Sequence, residues 1–196
     1  MRIFLLARHG QSLLNVAGVV NADPAVDPGL SEHGKEEARG LGEQIAGVEI
    51  DLLVTSRFPR AQQTGALALE GRDVPHVVLA EFDDVNIGDL EGKTLADYRD
   101  WKHGHSRSDR FPGGESLDDA AARYARAYHA VLARPEPAIL VVCHEIPVRY
   151  ALNAAAGSSE LDAPFHDIRN AVPYIFDERR LEAAAGGIER LAMSAA

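Results

Sequence analysis

The sequence predicts an α/β fold, a three-layer sandwich with a mainly parallel central sheet and helices on both of its faces. Three observations lead there. Short runs that are apolar throughout, as strands covered on both faces must be, recur along the chain. Between them lie stretches of helical periodicity bounded by helix-capping residues. The alternation persists over most of the 196 residues, a length that suits one domain with one core.

Taken in order, Ile3 to Ala7 is the first strand. It is too short for a signal peptide or a membrane span, and a charged loop follows at once. Ser31 can cap a helix running to about Ala46, with Ala38, Leu41 and Ile45 on one face and Gly47 as its stop. Leu52 to Thr55 is the second strand, and Pro59 suits the first position of a helix through about Leu69. Val77 to Leu79 is the third. The stretch from about Glu81 to Glu115 is polar, glycine-rich and weakly periodic, and reads as a lid-like insertion within a single domain spanning 1–196. Ser116 and Asp119 form a capping-box pattern for a helix to about Ala133, with Leu117, Ala121, Tyr124, Tyr128 and Leu132 on one face. Ile139 to Cys143 is the fourth strand, and a last helix begins near Pro147. Val172 to Phe176 and Ile188 to Met193 read as one or two edge strands. An edge strand would accommodate a homodimer.

The net charge of −10, with no block of basic residues, argues against a nucleic-acid partner or an anionic membrane. The lone cysteine, Cys143, permits neither an intrachain disulfide nor a cysteine zinc site and suits a reducing cytoplasm. His103 and His105 have the look of a metal pair, but they stand in a polar loop with no clear third ligand. No metal and no cofactor is implied.

In an open parallel sheet, ligands bind outside the carboxyl ends of the strands. Arg8, His9 and Gly10 follow the first strand. Ser56 and Arg57 follow the second, with Arg60 in the next helical turn, and His144 follows the fourth. An acidic protein has no structural reason to gather three arginines and two histidines at one edge. An anionic ligand supplies the reason. The arginine fork matches a phosphate, and a helix start near Pro59 adds backbone donors. A neutral imidazole is a nucleophile near neutral pH, and neighbouring arginines favour the neutral form. Phosphoryl transfer is mostly positioning and charge neutralisation, so such a pocket can act without a metal.

Arg8-His9-Gly10-Gln11-Ser12, with Asn15 beyond it, resembles the signature of the histidine phosphatase superfamily, the phosphoglycerate mutase-like proteins. Further segments resemble that family in its own order: Leu30-Ser31-Glu32-His33-Gly34, Ser56 to Thr64, Gly88-Asp89-Leu90-Glu91-Gly92, Pro112-Gly113-Gly114-Glu115-Ser116, Val141 to His144, and Asn170. The resemblance implies the phosphoglycerate mutase-like form of the sandwich. It makes His9 the residue phosphorylated in turnover and places Arg8, Arg60 and His144 around the phosphate. Asn15 and the backbone near Gln11 would help hold phosphoryl oxygens, and Arg57 is a further candidate for substrate binding. The family's general acid, usually a glutamate, falls on Asp84, with Glu81 as the second candidate. A second departure is Glu145, directly after His144, where the family often has small residues.

The reading is a metal-independent phosphomonoester hydrolase of the histidine acid phosphatase type, with water accepting the phosphoryl group from His9 and a small phosphate ester as substrate. Mutase-type transfer is the alternative. The mutases are usually longer, carry a tryptophan segment where Val16 to Gly29 has none, and have an "ERHYG"-like run where this chain has Asp84-Val85-Asn86-Ile87-Gly88. A catalytically silent phosphate-binding protein is the third reading.

Overall fold

The computed structural model describes residues 2–193. The sheet has five strands, β1 (Ile3–Arg8), β2 (Leu52–Thr55), β3 (His76–Val78), β4 (Ala138–Cys143) and β5 (Tyr174–Asp177), in the spatial order β3-β2-β4-β1-β5. The first four are parallel and β5 runs antiparallel along β1. The helices are α1 (Leu13–Ala17), α2 (Glu32–Gln44), α3 (Pro59–Ala68), α4 (Leu95–His103), α5 (Leu117–Leu132), α6 (Glu145–Ala155) and α7 (Glu178–Met193).

Alternation along each strand divides the core. Phe4, Leu6, Val54, Ile139 and Val141 face α5, α6 and α7, while Leu5, Ala7, Leu53, Leu140 and Val142 face α2 and α3. Both faces are therefore covered, which is why the strand runs carry no polar alternation.

The structure corrects three expectations. Ile188 to Met193 is not a strand but the end of α7. Leu181, Ala184, Ala185, Ile188 and Ala192 recur at helical spacing and are buried, and the glycines between them masked the period. The last expected helix starts at Glu145, two residues before Pro147. Proline is tolerated there because the first-turn N–H groups have no intrahelical partner. The insertion also holds a helix, α4, which begins on a complete capping box between Thr94 and Asp97.

Two close approaches explain glycines in the motifs. A Cβ on Gly34 would lie 2.0 Å from the Gln11 carbonyl oxygen, so α2 can press against the loop after β1 only with glycine there. Gly88 has φ of +53°, and a Cβ on it would lie 2.1 Å from the Pro112 carbonyl oxygen. These contacts lock the loop after β1 and the base of the insertion.

Candidate active site

The C-terminal ends of β1 and β4 are neighbours, and the His9 N–H donates to the Cys143 carbonyl at 2.9 Å. His9 and His144 consequently sit with ring centroids 5.3 Å apart. Both are buried, at 3% and 0% exposure. His9 opens into a cleft of about 720 Å³ that Arg8, Arg60, Asp84, Gln11 and Asn15 also line, and His144 is buried behind it.

The tautomer of His9 is set locally. Its Nδ1 lies 2.7 Å from the Gly10 carbonyl, an acceptor only, so Nδ1 carries the proton and Nε2 carries the lone pair. Arg60 Nε donates to that Nε2 at 3.1 Å. Burial, reinforced by Arg60 and Arg8, holds the His9 imidazole well below its ordinary range. Burial, Arg60 and His9 do the same for His144. Both rings are thus neutral near neutral pH.

Arg60 is the hub of the site. Its guanidinium reaches His9, His144 Nδ1 at 3.3 Å and Asp84 Oδ2 at 3.3 Å. Asn21 accepts from Nη1, and Asp27 accepts from the Arg60 backbone N–H at 3.0 Å and faces Nη1 at 3.5 Å. The Thr64 hydroxyl accepts from the Gly10 N–H and donates to the Arg60 carbonyl, tying the loop after β1 to the first turn of α3. Ser56 Oγ lies 2.9 Å from His144 Nε2.

Asn21, Asp27, Ser56 and Thr64 were not among the expected site residues. The turn chemistry of Asn21 to Gly29 hides the first two, since Asp27 also accepts from the Gly29 N–H as an ordinary turn aspartate does.

Asp84 joins the site. Its Oδ2 is 3.4 Å from His144 Nδ1. Burial lifts its carboxyl above the ordinary range, Arg60 and the Val85 N–H oppose that lift, and the charge of Glu145 adds to it. Two motif residues secure its surroundings. Glu115 pairs with Arg123, which donates to the carbonyls of Glu81, Asp83 and Asp84. Glu91 accepts from Asn21 and from the Ala22 N–H, holding the loop that holds Arg60.

The other expected residues divide. Asn15 and Gln11 line the cleft, but the Gln11 N–H is taken by Glu37 at 2.7 Å and Asn15 Oδ1 accepts from the Ser12 N–H. The Gln11 backbone therefore has no free donor for a phosphoryl oxygen.

Arg57 and Glu81 are not brought into this cleft. Both line a neighbouring depression, where the N–H and Nε of Arg57 are held by Asp83 at 2.9 and 2.6 Å. Asn170 braces the loop after β1 by donating to the His9 carbonyl at 2.6 Å. Cys143 is buried, with its thiol pushed up by burial. His103 lines the cleft while His105 stacks on Trp101. Among the described residues, no group of three or more His, Cys, Asp or Glu side chains is placed to hold a metal ion.

The chain is similar to known proteins over most of its length. The chain is 33% identical over 192 residues to a 2,3-bisphosphoglycerate-dependent phosphoglycerate mutase of Methylobacterium radiotolerans, covering 89% of each chain. It is 32% identical over 194 residues to a protein of the same name, numbered 2, from Gloeobacter violaceus, covering 91% of this chain and 87% of the other. Its fold superposes on the alpha-ribazole phosphatase of Shigella flexneri with a TM-score of 0.77 at 24% identity, covering 89% and 90% of the two chains. A mycobacterial glucosyl-3-phosphoglycerate phosphatase gives 0.75 at 22%, covering 90% and 91%. The histidine phosphatase superfamily (branch 1) matches residues 4–181, and the chain belongs to that family.

Proposed function

We propose that the protein is a metal-independent phosphomonoester hydrolase of the histidine acid phosphatase type that works through a phosphohistidine on His9. The observation that carries this reading is His9 Nε2. The Nδ1 bond to Gly10 puts the ring's lone pair on Nε2, where Arg60 Nε donates to it at the edge of a cleft lined by His9, Arg8, Arg60 and Asp84; an incoming phosphoryl group takes over that donor.

Nε2 attacks phosphorus, and the phosphorus–oxygen bond to the leaving alcohol breaks. Arg8 and Arg60 neutralise the equatorial oxygens. Arg60 Nη2 can only donate to His144 Nδ1, so the His144 proton sits on Nε2 and is donated to the Ser56 hydroxyl. Protonated Asp84 gives its proton to the departing oxygen. In the second half, the Asp84 carboxylate takes a proton from water. The resulting oxygen attacks phosphorus, the phosphorus–nitrogen bond breaks, and inorganic phosphate leaves with His9 neutral again.

The test incubates the protein with p-nitrophenyl phosphate and a chelator from acid to neutral pH. Nitrophenol release is expected, with an acid-labile, base-stable phosphoenzyme that His9→Ala does not form. No turnover at any pH would sink the hydrolase reading; phosphate binding without turnover would favour the silent alternative.

A second reading is favoured by one observation, that relatives above 30% identity are named as mutases. Length does not separate the two, since chain and relative align over 89% of each. The tryptophan-free Val16 to Gly29 segment and the Asp84 to Gly88 run still support hydrolysis. Interconversion of the two phosphoglycerates, primed with a bisphosphate, is expected to be slower than hydrolysis; the reverse order would make the protein a mutase. We place the protein in the cytoplasm on its single cysteine; no described helix is long and apolar enough to cross a membrane.

A further inference from the structure

Glu145 occupies the first helical position of α6, immediately after His144. A carboxylate at the rim of an anion pocket repels the ligand, so its presence calls for a compensating role. It is not free to receive a cationic part of the substrate. Its Oε2 lies 3.1 Å from Arg8 Nη1, and its Oε1 accepts from Arg149 Nη1 at 2.9 Å. Arg149 is held in turn by Asp162 at 2.9 Å.

Arg8 Nη1 has a second acceptor, the Ile168 carbonyl at 2.9 Å. Two acceptors therefore grip the same nitrogen. Arg8 Nε, by contrast, is buried and bonds nothing within the protein. Arg8 lines the cleft, and no hydrogen bond within the described residues uses its Nη2, which is left to an anionic ligand there.

We propose that Glu145 is a positioning residue for phosphoryl transfer. It grips Arg8 through Nη1, with Ile168 as the second anchor and Arg149 as the buttress, so that the rest of the guanidinium is held at the cleft wall for the phosphoryl group. This inference rests on the phosphatase reading of the site, and its test separates the two. Binding of orthovanadate, a geometric analogue of the transferring group, is measured by calorimetry, with p-nitrophenyl phosphate turnover alongside.

Glu145→Ala is expected to weaken vanadate about tenfold and to lower kcat by a similar factor. Glu145→Gln keeps an acceptor for Nη1 and is expected to restore most of both. In an Arg8→Ala background, Glu145→Ala is expected to change vanadate affinity less than about twofold, because the residue it acts through is gone. Equal losses in both backgrounds would overturn the proposal, as would no loss. Tighter vanadate binding in Glu145→Ala, the result if Glu145 merely repelled the anion, would overturn it too. A wild-type protein that binds vanadate with this coupling but never turns over fails as a phosphatase while the Glu145–Arg8 relation stands. Thermal melting of each variant identifies any that does not fold.

Discussion

The two walls of the cleft are built in opposite ways. One wall, with Arg8, His9 and Arg60 and with His144 buried behind them, hangs from strand ends and helix starts whose backbones belong to the core. The other carries Tyr98, Arg99, Lys102 and His103 on α4, a helix with no fully buried residue. The first is anchored by ladder bonds, the Thr64 tie and the Arg60 hub. The second rests on the Thr94 cap and on Trp101 stacked against Phe111 with centroids 4.0 Å apart. Transition-state contacts need sub-ångström placement, which rigid elements supply, whereas a recognition wall can vary without disturbing the chemistry. If so, damage to the first wall should be large and shared by all substrates. Damage to the second should be smaller and selective.

The largest effect is expected from Arg60→Met. Asp27 is fully buried at its side chain and would lose its cation. Breaking a buried pair from one side costs about 3–5 kcal/mol. Activity should fall by at least about 10³-fold, since the same guanidinium faces both histidines. Urea unfolding and p-nitrophenyl phosphate kinetics measure the two. Loss of activity with wild-type stability would mean that Asp27 finds another partner, and that the hub is less shared than its bonds indicate.

The same contrast governs what was legible in the sequence. His9 and His144 could be found because each ends an apolar run, and a run covered on both faces announces itself without tertiary information. Asp84 was found by position alone. Its raised carboxyl, which a general acid needs, comes from burial that no local pattern reports. Asn21 and Asp27 were missed because their local role as turn residues is genuine and masks the bond to Arg60. The helix α4 was missed because only Tyr98 and Trp101 pack, both against Phe111, while Leu95 is exposed, so no wide apolar stripe forms. The helix α7 was misread over Ile188 to Met193 because alanine and glycine bury a face without marking it.

A test of intermediate size lies at Asp84, where the walls meet. Asp84→Asn is expected to slow alkyl phosphates about 10²-fold and p-nitrophenyl phosphate less than about tenfold, because an aryloxide leaves without a proton. The pH dependence follows from the shifts. The depressed imidazole leaves His9 neutral below its ordinary value of 6.5, and the lifted carboxyl keeps Asp84 protonated above its ordinary 3.8. Alkyl phosphate turnover should therefore fall on the alkaline side as Asp84 ionises, and Asp84→Asn should remove that limb. Stability has its own dependence. Below about 6.5 the unfolded chain takes up the protons that buried His9 and His144 refuse, so their contribution is present at higher pH and is lost as pH falls. Equal slowing of both esters, with the alkaline limb intact, would assign the proton to another group.

On the second wall, Trp101→Ala removes the ring that joins His105 to Phe111. Truncating one half-buried aromatic in a small cluster should cost about 1–3 kcal/mol of local order in α4. KM is expected to change several-fold for bulky esters, with kcat for p-nitrophenyl phosphate within about threefold. A comparable loss of kcat on every ester would show that α4 holds the chemistry as well as the substrate, and the division between the walls would fail.

The smallest effect is expected at Arg57, which the sequence grouped with Arg8 and Arg60 by its place after a strand. Its side chain is 58% exposed and its charge is already answered by Asp83. Solvent screens such a pair, so Arg57→Ala should cost about 0–1 kcal/mol in stability. It should change KM for small esters by less than about twofold, with an unaltered salt dependence. Asp83 itself is nearly buried, and the Arg57 N–H survives the substitution to hold it. Asp84, the next residue, should therefore keep its place. A tenfold rise in KM would mean that an arginine outside the cleft draws the substrate across Asp84 into the neighbouring depression. Position after a strand would then be a better guide to phosphate contact than the ion pairs the side chain makes.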